Sequence, residues 1–429
     1  MVNHTIGTQW RTSCYSAEPD FTDQENWATL APVTTDNNKA PGPAKIHALW
    51  QLAFRAGFLG AASFAVFAMC RWLYWMLWPQ NWQASIPPNW WHAHEMIFGF
   101  AMPVIAGFLL TAVAAWTKLP GTRGWRLQLL FGLWLVARLV LWLAPQWSLL
   151  AWLAEMLFIL FIAFELGQRV WAQRQWRNML FLPVLLIMML LNSASYLSLE
   201  QPAMSTRLHY GAVWMVTVFI VIIGGRVIPL FTANRLGLKI APLPAWLEYL
   251  SIGSVIVIGL VTAFVPQEDS AGWLRALCLA TGVLHLYRLG HWQGWKTAGE
   301  PLLWSMHLSY ACIPLALLGM GLAGTDMIAG RNVIHLLAIG AIGGMIITMM
   351  SRVSLGHTGR PLEVPRFLAI AYTLVFFAAV LRAAVPAVAT SLTLLSWRVS
   401  ALLWIAAFGL FLYRYLPMLT QARADGKPG

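Results

Sequence analysis

The stretch Trp-His-Ala-His-Glu-Met at residues 91–96 stands at the head of an apolar run that continues through residues 97–115. That run is long enough to cross the hydrocarbon core of a bilayer, which takes about 20 residues of α-helix. Ionisable side chains are costly inside a bilayer, and those that occur there usually face a cavity, a partner or a ligand. Because imidazole is the most common metal ligand among side chains, His92 and His94 are candidate metal ligands.

The composition extends this interpretation from one segment to the whole chain. Hydrophobic residues make up 59% of the 429 residues and charged residues only 10%, whereas a soluble domain has about 25% charged residues. The sequence therefore predicts an all-α, polytopic membrane protein whose surrounding partner is the lipid bilayer. In a soluble chain the net charge of +12 would suggest nucleic acid as a partner. Here basic cytoplasmic loops explain the charge better, and no nucleic-acid partner is expected.

Apolar runs of membrane-crossing length recur along the chain, and the sequence predicts twelve transmembrane helices. The predicted spans are residues 52–78, 90–116, 126–144, 147–167, 178–199, 206–231, 244–265, 271–289, 301–322, 332–354, 365–386 and 392–416. Together they form a transmembrane domain at residues 49–418. A polar segment at residues 1–48 is expected to be a disordered cytoplasmic tail, and residues 419–429 are expected to be a short cytoplasmic tail.

Lysine and arginine concentrate in the loops that follow the even-numbered spans, as the positive-inside rule requires of cytoplasmic loops. These residues are Lys118, Arg123, Arg126, Arg169, Arg174, Arg177, Arg235, Lys239, Arg288, Lys296, Arg360 and Arg366. The loops after the first, third and eleventh spans carry no charge. The pattern predicts that both termini lie in the cytoplasm, so that the second, sixth and tenth spans begin at the outer face.

Those three spans share a feature, because each carries histidine in its first two turns. The histidines are His92 and His94, His209, and His335. At a rise of about 1.5 Å per residue they lie at similar depth. This favours a cluster of metal or haem ligands over the alternative of four separate interfacial side chains. His307 lies about two turns from the cytoplasmic end of the ninth span and is a reserve ligand.

Charged side chains at the same depth suggest ion pairs or ligand contacts. Arg138 and Glu155 lie in the outer halves of the third and fourth spans and are expected to pair inside the membrane. A guanidinium also matches a carboxylate such as a haem propionate, and Arg207 and Arg331 are the candidate residues for that contact. The alternative is that outer arginines reach for lipid headgroups. The arginines that ring the outer face are Arg71, Arg207, Arg331 and Arg382.

Common cofactor and catalytic motifs are missing from the sequence. It contains no Walker loop, no dinucleotide-binding fingerprint, no Cys-x-x-Cys-His motif and no Ser-His-Asp set. Any haem would therefore be held without covalent bonds. The sequence assigns no catalytic residue, so whether the protein is an enzyme stays open.

Several longer motifs carry a family resemblance. They are the stretches at residues 91–100 and 106–112, Gly-Arg-Val-Ile-Pro at 225–229, Leu-Trp at 303–304 with His307 and Tyr310, and residues 350–360. Together these motifs resemble those of the NnrS family of bacterial membrane proteins over most of the chain. The resemblance implies a twelve-helix protein of the bacterial inner membrane that contains haem and copper. It also implies a role in the response to nitric oxide and nitrosative stress, often beside denitrification genes.

The resemblance turns the histidine cluster into a candidate haem–copper site. His94 and His335 are the candidate axial ligands of a non-covalent, b-type haem, and His92 and His209 are the candidate copper ligands. Ferrous haem and Cu(I) both bind nitric oxide, and nitrogen ligands suit both metals. Because His92 and His94 are two residues apart, they point to different sides of their helix and can serve two centres. The sequence leaves open whether nitric oxide is reduced, bound or only sensed.

Two other functions remain compatible with the sequence. One is a secondary transporter, since twelve helices with both ends in the cytoplasm are common among transporters. Transporters place their polar groups near the midplane of the bilayer, whereas here these groups gather toward the two faces. The other is a haem protein that carries electrons from a quinol or another donor.

Overall fold

The computed structural model describes residues 46–323 and 327–426, and all of the regular structure there is helical. Each predicted span falls on one long helix, which confirms the all-α class. The predicted N-terminal tail lies outside the described residues except for residues 46–48. The long helices are α1 (Ala53–Leu77), α2 (Pro88–Thr117), α3 (Trp125–Leu143), α4 (Pro145–Ala172), α5 (Trp176–Leu197), α6 (Pro202–Leu236), α7 (Ala245–Phe264), α8 (Gln267–His291), α9 (Pro301–Leu322), α10 (Gly330–His357), α11 (Arg366–Val388) and α12 (Thr390–Thr420).

Proline and glycine explain where several of these helices begin and end. Pro88, Pro145, Pro202 and Pro301 each occupy the first position of a helix, where the missing N–H sacrifices no hydrogen bond within the helix. Gly237 ends α6 with a φ of 64°, a left-handed conformation that a residue without a Cβ adopts easily. The short connections therefore reverse the chain from one helix to the next.

Among the described residues, eleven of the long helices are apolar enough to cross a membrane, and α8 is the exception. Three polar side chains in the second half of α8, those of Thr281, His285 and Arg288, are buried. Arg288 pairs with Glu248 of α7, with 3.1 Å from Nε to Oε1, and donates to the Tyr310 hydroxyl of α9 at 2.5 Å. His285 Nδ1 lies 2.7 Å from the same hydroxyl. An average of hydropathy does not register such pairing, so the membrane passage of α8 stays a prediction.

The helices that carry the predicted ligands are among the most enclosed in the bundle. In the most apolar 18-residue stretch of each helix, the share of residues that is buried is 83% in α2, 72% in α10 and 67% in α6. In α3, α5, α7, α11 and α12 no more than 39% of the corresponding stretch is buried. The bundle therefore has an inner group of helices that includes α2, α6 and α10, with more exposed helices around it.

Two of the inner helices contain a π-helical segment, whose turns are wider than those of an α-helix. One segment covers Glu95–Ala101 in α2 and the other covers Leu336–Gly343 in α10. Each begins directly after a histidine, His94 in the first case and His335 in the second. π-helical turns occur frequently at functional sites, and here they mark corresponding points of two ligand-bearing helices.

Glycines in α10 allow close contact with the surrounding helices. A methyl group at Gly343 would collide with the indole of Trp404 in α12. One at Gly340 would collide with Cys312 of α9. Small residues at helix interfaces let backbones approach closely in membranes, and α10 uses them to pack between α9 and α12.

We expect Gly343→Leu to destabilise the bundle, because the added side chain has to displace Trp404. Overpacking of this kind lowers the free energy of unfolding by about 1–3 kcal/mol. Gly409→Leu in α12 is the matched control, since the space around Gly409 is open. Thermal unfolding of the two purified variants in detergent compares them, and equal stability would contradict the close packing of α10.

Candidate functional site

We call the end of the bundle at which α2, α6 and α10 begin the histidine end. Four of the predicted ligands come together there. The ring centroids of His94 and His209 lie 6.1 Å apart, and His209 interacts electrostatically with both His92 and His94. His335 interacts in the same way with His92. We call these four side chains the histidine row.

His94 is fully buried, and both of its ring nitrogens have partners. Nδ1 lies 3.1 Å from Oε1 of Glu95. Nε2 lies 2.9 Å from Oδ1 of Asn192 and 3.3 Å from Oε2 of Glu155. The ring also stacks on the indole of Trp90, with 4.3 Å between centroids and 10° between planes. The orientation of His94 is therefore fixed from both edges and from one face.

Arg138 of α3 joins the two buried carboxylates beside His94. Its Nη1 donates to Oε1 of Glu95 at 2.7 Å, and its Nη2 forms an ion pair with Glu155 of α4. Asn192 and Tyr196 of α5 also donate to Oε2 of Glu155, at 2.7 and 3.1 Å. The predicted pair of Arg138 and Glu155 is confirmed. Glu95 is an additional partner that the sequence suggested only as a neighbour of His94.

The same carboxylates offer one candidate position for a metal ion. Ligand atoms of His94, Glu95 and Glu155 lie within 4.8 Å of one another, and all three residues are buried. Arg138 already forms an ion pair with each of the two carboxylates, however. An ion at this position would have to compete with the guanidinium for the same oxygens.

The other three members of the histidine row have nitrogens that remain open. His209 Nε2 and His92 Nδ1 are buried and have no hydrogen-bond partner within the described residues. His335 Nδ1 lies 2.8 Å from the Arg331 carbonyl. Because only an N–H can bond to a carbonyl, Nε2 of a neutral His335 carries the free lone pair, the usual arrangement in metal-binding histidines. The row therefore presents three imidazole nitrogens to a ligand.

A comparison with known protein families shows which family the chain belongs to. The family described as NnrS protein matches residues 48–423, a range that includes all twelve helices and the histidine row. The chain belongs to the NnrS family. Membership suggests a protein of the nitric oxide response, and the many apolar helices indicate a membrane protein. A search of curated proteins finds no match.

Three further arginines of this NnrS-family protein lie in the helices that approach the histidine row. Arg207 Nη2 lies 3.2 Å from the sulfur of Met204, and Arg331 is exposed. Neither arginine has a carboxylate partner in the ranges that the structure describes. Arg382 stacks over Trp397 at 4.1 Å from the ring centroid and donates to Oδ1 of Asn332 at 3.0 Å. The charges of Arg207 and Arg331 are thus available to an anionic group.

Other residues that match NnrS motifs lie away from the row. His307 Nε2 bonds to Oγ1 of Thr232 at 2.9 Å. From His307 to the histidine end α9 continues for about 22 Å, so the structure does not bring His307 to the row. Arg352 stacks over Phe231 at 3.7 Å, and His357 is the last residue of α10. These residues belong to the opposite end of the bundle.

We expect Arg138→Gln to destabilise the protein strongly, because it leaves Glu95 and Glu155 buried without a cation. Removal of one partner from a buried ion pair costs about 3–5 kcal/mol. The double variant Arg138→Gln/Glu155→Gln should regain part of that loss. Arg126→Gln is the control, since the Arg126 side chain is 47% exposed in its pair with Glu165 and such pairs contribute at most about 1 kcal/mol. Thermal unfolding of the four proteins tests the network, and equal effects of the two single variants would contradict it.

Proposed function

We propose that this NnrS-family protein is a multi-pass protein of the bacterial inner membrane that binds haem and copper in the response to nitric oxide. The observation that carries the proposal is the histidine row, in which three of four imidazoles have a nitrogen open to a ligand. The row lies on three enclosed helices of a chain matched by the NnrS family. When bound, ferrous haem and Cu(I) would supply the capacity to bind nitric oxide.

Copper fits His92 and His209 directly. His92 Nδ1 and His209 Nε2 are buried and lack hydrogen-bond partners among the described residues, and buried polar atoms are rarely left in that condition. Imidazole nitrogens suit Cu(I) and Cu(II). A copper ion held by these two side chains would satisfy both nitrogens. Trp72, which stacks on His92 at 4.1 Å, would hold that ligand in place.

Haem fits His335 directly and His94 with one rearrangement. His335 has Nε2 free and could hold a haem iron, but both nitrogens of His94 are engaged. If Nε2 of His94 bound iron it would have to leave Asn192. The bond from Nδ1 to Glu95 would persist and orient the ring, as second-shell carboxylates do for metal-bound histidines. Arg207 and Arg331 would hold the propionates of a non-covalent, b-type haem.

We also propose that all twelve helices cross the membrane and that both termini lie in the cytoplasm. The loops after the even-numbered helices carry most of the loop lysines and arginines, as cytoplasmic loops do. Helix α8 has 25 residues and spans about 37 Å, enough to cross a bilayer. The histidine end would then face the periplasm, and nitric oxide would reach the row from that side or from the lipid.

Cysteine labelling in spheroplasts tests this topology. In a variant without native cysteines, a membrane-impermeant maleimide should label Gln201→Cys, between α5 and α6, without permeabilisation. Gly299→Cys, between α8 and α9, should be labelled only after the membrane is permeabilised. Labelling of both positions in sealed spheroplasts would show that α7 and α8 do not both cross, and would contradict the twelve-helix arrangement.

Metal analysis of purified variants tests the cofactors. We expect His92→Ala and His209→Ala to weaken copper binding by about 100-fold or more, since each removes a direct ligand. His335→Ala should abolish the Soret band of haem. His291→Ala is the control, because His291 bonds to the Ala241 carbonyl at the opposite end of the bundle. Wild-type protein with neither a Soret band nor bound copper would falsify the proposed function.

A further inference from the structure

A cavity of about 240 Å³ lies at the histidine end, where α1 ends, α3 ends and the chain turns into α2. It is smaller than the pockets that hold drug-sized ligands, which run from about 300 to 1,000 Å³. It therefore suits a single ring and is too small for a haem. Aromatic side chains dominate its walls and can stack on a flat ligand. Its principal lining residues are Arg71, Trp75, Trp78, Asn81, Trp82 and Trp142.

Arg71 supplies this cavity with donors that no group in the described part of the chain accepts. Its guanidinium carbon lies 4.6 Å from the ring centroid of Trp82 and 4.7 Å from that of Trp91. Its Nε atom is buried without a hydrogen-bond partner. Arginines inside a membrane protein usually pair with acceptors, and buried donors are nearly always bonded. A ligand that carries a carbonyl or hydroxyl oxygen could accept the hydrogen bonds that Arg71 has available.

The rim of the cavity faces outward from the bundle. Trp78 of the α1–α2 connection is 45% exposed and Trp142 of α3 is 43% exposed. Helix α3 is one of the least enclosed helices, since only 39% of its most apolar 18-residue stretch is buried. A ligand whose ring occupies the cavity could therefore leave a long apolar tail in the surrounding lipid.

A stack of aromatic rings connects the cavity with the histidine row. The ring centroids of Trp75, in the cavity wall, and Trp72 lie 4.5 Å apart. Trp72 in turn stacks on His92 with 4.1 Å between centroids and 19° between planes. Each step is a van der Waals contact, so an electron could pass from the cavity to His92 through these two indoles.

We propose that the cavity binds the ring of a membrane quinol and that this quinol reduces the metal at the histidine row. The proposal rests on the proposed function, because the metal is the oxidant. Both O–H bonds of the quinol break, and two protons leave to water at the mouth of the cavity. The two electrons of the quinol would pass singly through Trp75 and Trp72 to His92, and at a metal held by the histidine row each electron would reduce one Cu(II) or one ferric iron. The quinol becomes a quinone, and Arg71 donates to one of its carbonyl oxygens.

Quinone binding is measured first and does not depend on the metal. Decylubiquinone is titrated calorimetrically into the wild type in lipid nanodiscs, and into Arg71→Gln and Trp75→Leu. We expect the wild type to bind and Arg71→Gln to bind about tenfold more weakly, the effect of one charge-assisted hydrogen bond. Trp147→Leu is the control, since Trp147 is 63% exposed at the same end of the bundle and does not line the cavity.

Several outcomes of the titration would overturn the assignment of the cavity. They are absence of binding to the wild type, equal affinity of Arg71→Gln and Trp147→Leu, and displacement of the quinone by phosphatidylglycerol. The last result would show that Arg71 holds a lipid headgroup. Thermal unfolding of each variant shows that weaker binding comes from the folded protein.

Electron transfer is measured next, on the metal-loaded protein under anaerobic conditions. Decylubiquinol should reduce the wild type, as followed in the visible spectrum. Trp72→Leu, compared at the same metal content as the wild type because Trp72 also packs on His92, should bind quinone normally but be reduced at least tenfold more slowly. Wild-type protein that contains metal and binds quinone but is not reduced would overturn the electron path and leave the proposed function intact. Protein without metal would overturn the proposed function, and the titration would still show whether the cavity binds quinone.

Discussion

A charge that is buried in a membrane-embedded bundle needs a partner of opposite sign within hydrogen-bond distance, and Arg138 meets this requirement twice. It ties Glu95 of α2 to Glu155 of α4 from its position on α3. Asn192 extends the network to α5 and bonds to His94. Loss of Arg138 would leave two carboxylates buried without a cation in a medium of low dielectric constant. The relative positions of four helices, and the orientation of His94, therefore depend on one guanidinium.

The positions of the helices could be predicted from the sequence because hydropathy is a local property. The pair of Arg138 and Glu155 could be predicted as well, since both residues lie at one depth in consecutive antiparallel helices. The role of Glu95 could not, because depth alone does not reveal which way a side chain points around its helix. The polar residues of α8 could not be interpreted either, since Arg288 and His285 find partners on helices that are distant in sequence.

For the histidine row, too, the depth of each side chain could be predicted from the sequence but its direction around the helix could not. A constant rise per residue predicts that His94, His209 and His335 lie at one level, and the structure brings them together with His92. That His94 uses both nitrogens could not be predicted, because its partner Asn192 comes from another helix. His307 was a candidate by residue type and motif, but its place on α9 puts it at the far end of the bundle.

The π-helical segments after His94 and His335 affect the direction in which each histidine points relative to the rest of its helix. An α-helix advances by about 100° per residue, and a π-turn accommodates one extra residue in the same length of helix. Deletion of a single residue from Glu95–Ala101 would therefore let a continuous α-helix form while His94 keeps nearly the same direction around the axis. A residue gained or lost without a change of turn type would instead rotate His94 by about 100°, so the π-turns let α2 carry an additional residue behind its histidine without changing where the imidazole points.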